Sequence, residues 1–201
     1  GAGADRAVSA LLDSLQRSFD ELPSARREAR GRREALAAVL AEGLPGQRSE
    51  RWKYTPLRAL AARSFVAPGA PAEVPEEALQ AIPAPRLVFV NGAYSSALSM
   101  LGELPEGLSL APLSANPESA DAQAAFAARY ERADEAFARL NSALATEGAL
   151  LRVAAGARIA VPVQLVFVGA PAQGDLASHL RHRIEVGAGA STGSLNQMWI
   201  S

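Results

Sequence analysis

The chain has 201 residues and a formal net charge of −1, from 20 Lys and Arg against 21 Asp and Glu. This balance excludes both the basic excess of a bulk nucleic-acid binder and the acidic block of a disordered tail. Cysteine is absent, which excludes disulfides, thiolate zinc sites, a cysteine nucleophile and an iron–sulfur cluster held on thiolates of this chain.

The N-terminus, GAGADRAVSA, has neither the basic start nor the apolar core of a secretory signal peptide. No apolar run reaches the roughly 18–20 residues that span a bilayer. The longest run, VPVQLVFVGA, has the length of a strand. We therefore expect a cytoplasmic protein without a membrane contact, and the lack of cysteine fits a reducing compartment.

Two helices are predicted in the first 42 residues. Residues 4–20 place apolar side chains three and four positions apart, which predicts one amphipathic helix ending before Pro23. Ser24 can cap a second helix that runs to about Glu42. Its first half, ARREARGRRE, is basic. A solvated helix face is the favoured interpretation of this stretch, and a docking surface for an acidic partner is the alternative.

The stretch RSERWKYTPL, residues 48–57, concentrates aromatic and basic side chains in a chain with 5% aromatic residues. Interleaved rings and cations can stack on nucleic-acid bases, but the net charge favours a structural clasp. In that clasp Trp52 anchors the loop by burying its ring, and Lys53 keeps its charge in water. Tyr54 packs while its hydroxyl finds a partner. Thr55 then caps a short helix whose first residue is Pro56.

The elements after residue 70 change in character. Residues 71–85 are a proline-rich linker, RLVFV (86–90) is a buried strand, and Asn91-Gly92 predicts a hairpin to a second strand. Residues 118–146 predict one long helix with a continuous apolar seam that packs in the core. The seam consists of Phe126, Tyr130, Ala133, Phe137, Leu140 and Leu144. From Ala149 onward, short β-runs separated by small-residue turns indicate stacked rungs rather than a meander.

Candidate catalytic and metal-binding groups are sparse. His179 and His182 are the only histidines, and their spacing before a predicted strand favours surface or strand-edge positions over a metal site. Asp134 and Glu135 lie off the helix seam, which favours a solvated face. The β-runs offer Arg152, Arg158, Arg183 and Glu185 but no carboxylate cluster. We therefore predict no catalytic, cofactor-binding or metal-binding residue, and no enzyme.

Three segments in order are similar to the SufB/SufD family of iron–sulfur cluster assembly proteins: SERWKYTPLRAL (49–60), RLVFVNGAYSSALSML (86–101) and AFARLNSALATEGALLRVAAGARIAVPVQLVFV (136–168). The compact Trp-Lys-Tyr segment favours the SufD branch. The resemblance implies an α+β fold, with a helical domain (1–70), the linker (71–85) and a segment (86–201) that enters a truncated right-handed parallel β-helix. The residues that carry this family motif are Glu50, Trp52, Lys53, Tyr54, Thr55, Asn91, Gly92, Leu140 and Asn141.

The resemblance also implies a function. The chain is expected to be a non-catalytic scaffold subunit that pairs with SufB through the β-helix and acts with the ATPase SufC. Family members dock SufC through a C-terminal region that we expect to lie outside these residues, and the cluster is handled by the complex rather than by this chain alone. An open last rung predicts homodimerisation or aggregation. The alternatives are a β-helix carbohydrate-active enzyme and a nucleic-acid-binding module.

Overall fold

The computed structural model describes residues 9–69, 72–127, 130 and 132–201. The fold is α+β, as predicted. The chain divides into two compact units: a helical unit of Gly1–Ala67 with Ala127–Leu144, and a β unit of Pro68–Phe126 with Ala145–Ser201. The boundaries at residues 70 and 85 that the sequence suggests stay a prediction. Across the described ranges, no helix is both long and apolar enough to cross a membrane.

The regular elements alternate between the two units. The α-helices of the described residues are α1 (Ala10–Asp20), α2 (Ser24–Arg27), α3 (Arg32–Glu42), α4 (Arg58–Ala61), α5 (Ala120–Phe126) and α6 (Ala136–Leu144). The strands are β1 (Arg86–Val90), β2 (Ala93–Tyr94), β3 (Leu108–Pro112), β4 (Ala149–Val153), β5 (Arg158–Ile159), β6 (Val163–Val168), β7 (Arg183–Val186), β8 (Ser191–Thr192) and β9 (Leu195–Ile200). Short 3-10 turns occupy Glu50–Trp52, Glu76–Leu79, Leu113–Ala115 and Ala133–Glu135.

Helix α1 confirms the amphipathic pattern over its described part. The hydroxyl of Ser9 accepts a hydrogen bond from the backbone N–H of Leu12, which caps the helix start. Residues 4–8 of the predicted helix lie outside the described residues. The buried side of α1 carries the apolar residues at the expected spacing: Leu11, Leu12, Leu15 and Phe19.

Two predicted helices of the helical unit are wrong in extent. The single helix expected over 24–42 is interrupted between α2 and α3, because Gly31 adopts a left-handed φ of 86°. The helix expected to start at Thr55-Pro56 instead begins at Arg58, with Leu57 at the N-cap and no side-chain cap. The capping residue Thr55 therefore did not decide where α4 begins.

The long helix predicted over 118–146 is also wrong. It consists of α5 and α6, which belong to different units. Phe126 packs with Leu113 in the β unit, whereas Leu140 is buried in α6 of the helical unit. Tyr130 remains 39% exposed. Residues 128, 129 and 131, and the side chain of Ala133, lie outside the described part of the chain.

In the β unit, β1 and β2 form the predicted hairpin. Their two-residue turn is Asn91-Gly92, with φ values of 49° and 86°. Both central residues of a type I′ turn require positive φ, which is the reason that Asn-Gly is favoured there. The hairpin extends a four-stranded sheet of order β2-β1-β6-β9, in which β1, β6 and β9 run parallel.

The strands after residue 148 pair in a repeated order. Strands β4, β5 and β6 lie parallel to β7, β8 and β9, respectively. The register joins Leu150 to Arg183, Arg158 to Ser191 and Val163 to Leu195, so paired residues are 33, 33 and 32 positions apart. Strand β3 adds to β4 in the antiparallel direction. A segment of about 33 residues therefore repeats its path once.

The central strands β1 and β6 are buried on both faces, as expected for a continuous apolar run. One face packs in a cluster with Leu87, Phe89, Leu165 and Phe167. The opposite face contributes Val88, Val90, Val166 and Val168 to a second cluster that includes Leu79. The β unit thus has apolar packing on either side of its main sheet.

A buried cation joins the linker to this sheet. Arg86 is 3% exposed and donates from its Nε atom to the carbonyl of Leu98 at 3.0 Å. Its Nη1 atom donates to the carbonyls of Leu79 at 3.0 Å and Ile82 at 2.5 Å. These carbonyls satisfy a charge that is otherwise costly to bury, so the proline-rich segment is fixed to β1 by Arg86.

Candidate functional site

The motif loop 48–57 is attached to the start of α6 through Trp52. The indole Nε1 donates a 2.8 Å hydrogen bond to the backbone carbonyl of Asp134. The ring lies 5.2 Å from the ring of Phe137 in a tilted arrangement. Trp52 is half-buried and sits at the end of the 3-10 turn Glu50–Trp52. These contacts are those of the anchor that the sequence predicted.

Charged side chains reinforce the same attachment. Arg132 forms a two-pronged contact with the Asp134 carboxylate, at 3.0 Å from Nε and 2.8 Å from Nη2. Arg51 approaches Asp134 at 3.4 Å and Glu135 at 3.8 Å. The hydrogen bonds from Arg132 hold the pKa of the Asp134 carboxyl below its usual value. Asp134 therefore lies in an ion cluster with Arg132 and Arg51, on a 3-10 turn rather than on the solvated helix face that the sequence predicted.

Tyr54 does not pack against the fold, which corrects the prediction for this residue. Its side chain is 85% exposed. Lys53 is exposed beside it, with Nζ 5.3 Å from the centre of the Tyr54 ring. Glu50 and Thr55 are exposed as well. The loop thus separates into an attached side, made by Trp52, and a solvent-facing side, made by Lys53 and Tyr54.

The second half of the motif lies on α6 and in the hairpin. Leu140 is buried and Asn141 is half-buried on α6. Asn91 joins the end of β1 to the segment after β6. Its Nδ2 atom donates to the carbonyl of Ala170 at 3.1 Å, and its Oδ1 atom accepts from the backbone N–H of Ala170 at 2.9 Å. A side chain at Gly92 would overlap Ser178. The grouping of these residues as a family motif stays a prediction.

A cavity of about 420 Å³ opens at the carboxyl ends of β1, β6 and β9. Its wall contains a stack of rings, with Phe89 and Phe167 at 5.8 Å and Phe167 and Trp199 at 4.5 Å between centres. Trp199 is 75% exposed. The sequence pattern did not identify this stack, because its members are aligned only by parallel pairing of distant strands.

Both histidines are half-buried, and His182 directly precedes β7, which agrees with the predicted strand-edge position. His182 lies beside Phe89 and Phe167, and its Nδ1 accepts a hydrogen bond from the N–H of Ala149 at 3.0 Å. Burial lowers the pKa of His179 to about 4 and also lowers the pKa of His182. Within the described residues, no group of three or more His, Cys, Asp or Glu is placed to hold a metal ion.

Arg152 joins three elements of the β unit. It contacts Glu185 on β7 and Asp121 on α5, and Arg183 donates to Glu185 at 2.6 Å. Hydrogen bonds from Arg152 lower the pKa of both the Asp121 and the Glu185 carboxyl. The opposite charges of Arg152 and Glu185 occupy directly paired positions. The sequence pointed to Arg152 and Glu185 but not to Asp121, the second partner of Arg152, because Asp121 comes from a separate helix.

The charged groups of the described sites are held in fixed contacts. Arginines lower the pKa of the Asp121, Asp134 and Glu185 carboxyls, which keeps them ionised and suits them to fixing the fold. The histidines named above are held in the neutral form by burial. What the loop 48–57 and the ring stack offer is exposed aromatic surface next to fixed backbone, an arrangement typical of protein contacts.

Comparison with known proteins identifies the family. The family model described as the SufBD protein N-terminal region matches residues 16–165. The chain belongs to this family. The matched range of the SufBD N-terminal region contains the whole loop 48–57, the Asn91-Gly92 hairpin and α6, and it ends within β6.

Two curated relatives agree with this SufBD assignment. The "Iron-sulfur cluster assembly protein SufD" of Escherichia coli is 32% identical over 159 residues, which cover 77% of this chain and 35% of that protein. The "Iron-sulfur cluster assembly SufBD family protein slr0076" of Synechocystis is 33% identical over 137 residues, which cover 62% of this chain and 29% of that protein. The chain therefore spans about a third of the length of the curated relatives that it matches.

Proposed function

We propose that the protein acts in iron–sulfur cluster assembly as a non-catalytic scaffold subunit. The observation that carries this proposal is the SufBD N-terminal match over residues 16–165, together with two relatives whose names state cluster assembly. In this role the chain works with SufB and the ATPase SufC in the cytoplasm. The cluster rests on other members of the complex, since this chain has no cysteine.

We further propose that residues 149–200 form the first coils of a right-handed parallel β-helix. Three successive strands pair in parallel with the next three at a nearly constant offset, which is the pattern of one coil stacked on another. Small residues permit the close stacking. A side chain at Gly148 would overlap the backbone carbonyl of Arg181 in the following coil, and only glycine allows backbones to approach this closely.

The exposed face of strands β7 and β9 offers apolar side chains for a β-pairing contact. These side chains stand in register with core residues of the first coil: Ile184 opposite Leu151, Val186 opposite Val153 and Trp199 opposite Phe167. These three side chains are 48%, 50% and 75% exposed, respectively. An exposed apolar strand edge is a template for a further strand. We propose that a further strand, from the same protein or from SufB, covers Trp199 and the backbone groups of this edge.

The proposed role is tested by deleting the gene in the organism that carries it and growing the cells with limiting iron. We expect the activities of several iron–sulfur enzymes to fall together, while enzymes without clusters keep theirs. A plasmid copy of the gene restores the activities and separates the effect from that of neighbouring genes. Unchanged cluster enzymes in the deletion strain would overturn the proposal.

A further inference from the structure

We call residues 48–58 the basic loop. Its exposed residues Lys53 and Tyr54 lie beside each other and take no part in the contacts of Trp52 with Asp134 and Phe137. The basic loop contains four cations, Arg48, Arg51, Lys53 and Arg58, and one carboxylate, Glu50. Since Arg51 is paired with Asp134 and Glu135, the other three cations and Glu50 leave a local charge of +2 on a chain whose net charge is −1. This concentration of positive charge, and the exposed ring within it, require an explanation beyond stability.

Hydrogen bonds of its attached side hold the basic loop in a turn. The N–H of Trp52 donates to the carbonyl of Ser49 at 3.0 Å, and the N–H of Thr55 donates to the carbonyl of Trp52 at 3.0 Å. The indole hydrogen bond to the carbonyl of Asp134 fixes this turn to the 3-10 turn that precedes α6. Lys53 and Tyr54 lie between the fixed points, so a partner that contacts them does not have to order a mobile loop.

Tyr54 has the properties of an interface anchor. It is the most exposed of the large apolar and aromatic side chains in the described residues, at 85%, and Lys53 lies 5.3 Å from its ring centre. Tyrosine and arginine dominate binding hot spots because they combine a large contact area with a polar end. The ring gains this energy only when a partner surface closes over it.

We propose that the basic loop is a docking surface for an acidic protein partner, with Tyr54 as its anchor. The charge of the loop favours a surface rich in Asp and Glu, and the ring favours an apolar cleft within that surface. A nucleic acid is disfavoured, because single-strand binders stack successive bases on several rings, whereas Trp52 is turned into the fold. Arg51 is already engaged by Asp134 and Glu135. The inference does not depend on the role in cluster assembly.

The test measures binding of the 201-residue chain to dye-labelled poly(Glu,Tyr), poly-Glu and a thymidine oligonucleotide by fluorescence anisotropy. Tyr54→Ala should weaken poly(Glu,Tyr) binding at least about fivefold and poly-Glu binding less than about twofold. Lys53→Gln should weaken the binding of both acidic polymers by about twofold to fivefold. Circular dichroism and melting curves check that each variant folds, which the exposure of both side chains favours.

The matched control is Arg63→Gln. Arg63 also lies against a ring, 5.2 Å from the centre of Phe65, and its replacement removes one positive charge outside the basic loop. We expect a change of less than about twofold for every probe. The proposal is overturned if Arg63→Gln weakens acidic-polymer binding as much as Lys53→Gln does. It is equally overturned if neither acidic polymer binds, if Tyr54→Ala leaves poly(Glu,Tyr) binding unchanged, or if the oligonucleotide binds more tightly than both polymers.

Discussion

Replacing Trp52 with alanine removes three interactions from the helical unit at once. The variant loses the Nε1 hydrogen bond to the Asp134 carbonyl at 2.8 Å and the contact with the Phe137 ring at 5.2 Å. It also exposes the apolar area that the half-buried indole covers. Because the loop 48–57 is attached through this ring, we expect its turn to detach from the start of α6.

The expected cost follows from these losses. A half-buried indole covers about 100 Å² of apolar surface, which contributes about 2.5 kcal/mol at 25 cal/mol per Å². The hydrogen bond adds about 1 kcal/mol and the ring pair about 0.5 kcal/mol. Burial relative to an extended chain overestimates the first contribution. We therefore expect Trp52→Ala to lower the free energy of unfolding by about 3 kcal/mol, near the lower end for tryptophan truncation.

Urea unfolding followed by far-ultraviolet circular dichroism measures this loss. With a denaturant slope of about 2 kcal/mol per molar, the midpoint of the helical transition should fall by about 1.5 M. Trp52→Phe keeps a ring against Phe137 and loses the indole donor, so it should cost about 1 kcal/mol. Tyr54→Ala, at an exposed neighbouring position, should change the midpoint little. A Trp52→Ala midpoint equal to that of the parent chain would refute the anchoring role.

Three further predictions concern the β unit. Because the pKa of His179 is lowered to about 4, the unfolded chain binds a proton first as the pH falls below about 6.5. The fold should thus lose about 2 kcal/mol from this residue between about pH 7 and pH 5, and His179→Gln should flatten the pH dependence of urea unfolding over that window. Gly148→Ala should lower the stability of the fold by about 3 kcal/mol or more, because the added methyl overlaps the backbone of Arg181. Its control in the thermal melt is Gly46→Ala, whose added methyl meets no atom within 4 Å. Arg86→Met should cost about 3 kcal/mol in the same melt, since buried carbonyls lose their donor, and an unchanged melting temperature would contradict the role of Arg86.

Local patterns predicted the elements whose determinants are local. The spacing of Leu11, Leu15 and Phe19 identified α1, and the Asn91-Gly92 pair identified the hairpin with its positive φ values. The run RLVFV identified β1 as a buried strand. In each case the physical cause lies within a few residues, so the sequence alone contains it.

Elements set by tertiary contacts were not predictable in this way. The apolar spacing from Phe126 to Leu144 continues without a break, yet Phe126 packs in the β unit and Leu140 is buried in the helical unit. Periodicity reports which residues are buried but not which core receives them. The interruption at Gly31 has a local signal, the glycine itself, which was outweighed by the helical pattern on either side.

The candidate sites show the same division. Trp52 was predicted as an anchor because a large ring in a mostly aliphatic sequence favours burial, whereas its neighbour Tyr54 proved exposed. The difference depends on which side of the 3-10 turn faces α6, and that orientation has no sequence signature. The ion pair between Arg152 and Glu185 and the contact of Phe167 with Trp199 depend on a register of about 33 residues. Phe89 joins the stack through the separate pairing of β1 with β6. Both registers appear only when the strands pair.

The scaffold role is tested most directly by co-expressing the affinity-tagged chain with SufB and SufC and separating the product by gel filtration. The account predicts that SufB elutes with the chain in a fixed ratio. Trp199→Asp, on the exposed face of β9, should reduce the recovered SufB, while Val161→Asp, also at an exposed apolar position, should not. Elution of SufB apart from a folded chain, or equal recovery with Trp199→Asp, would contradict the account.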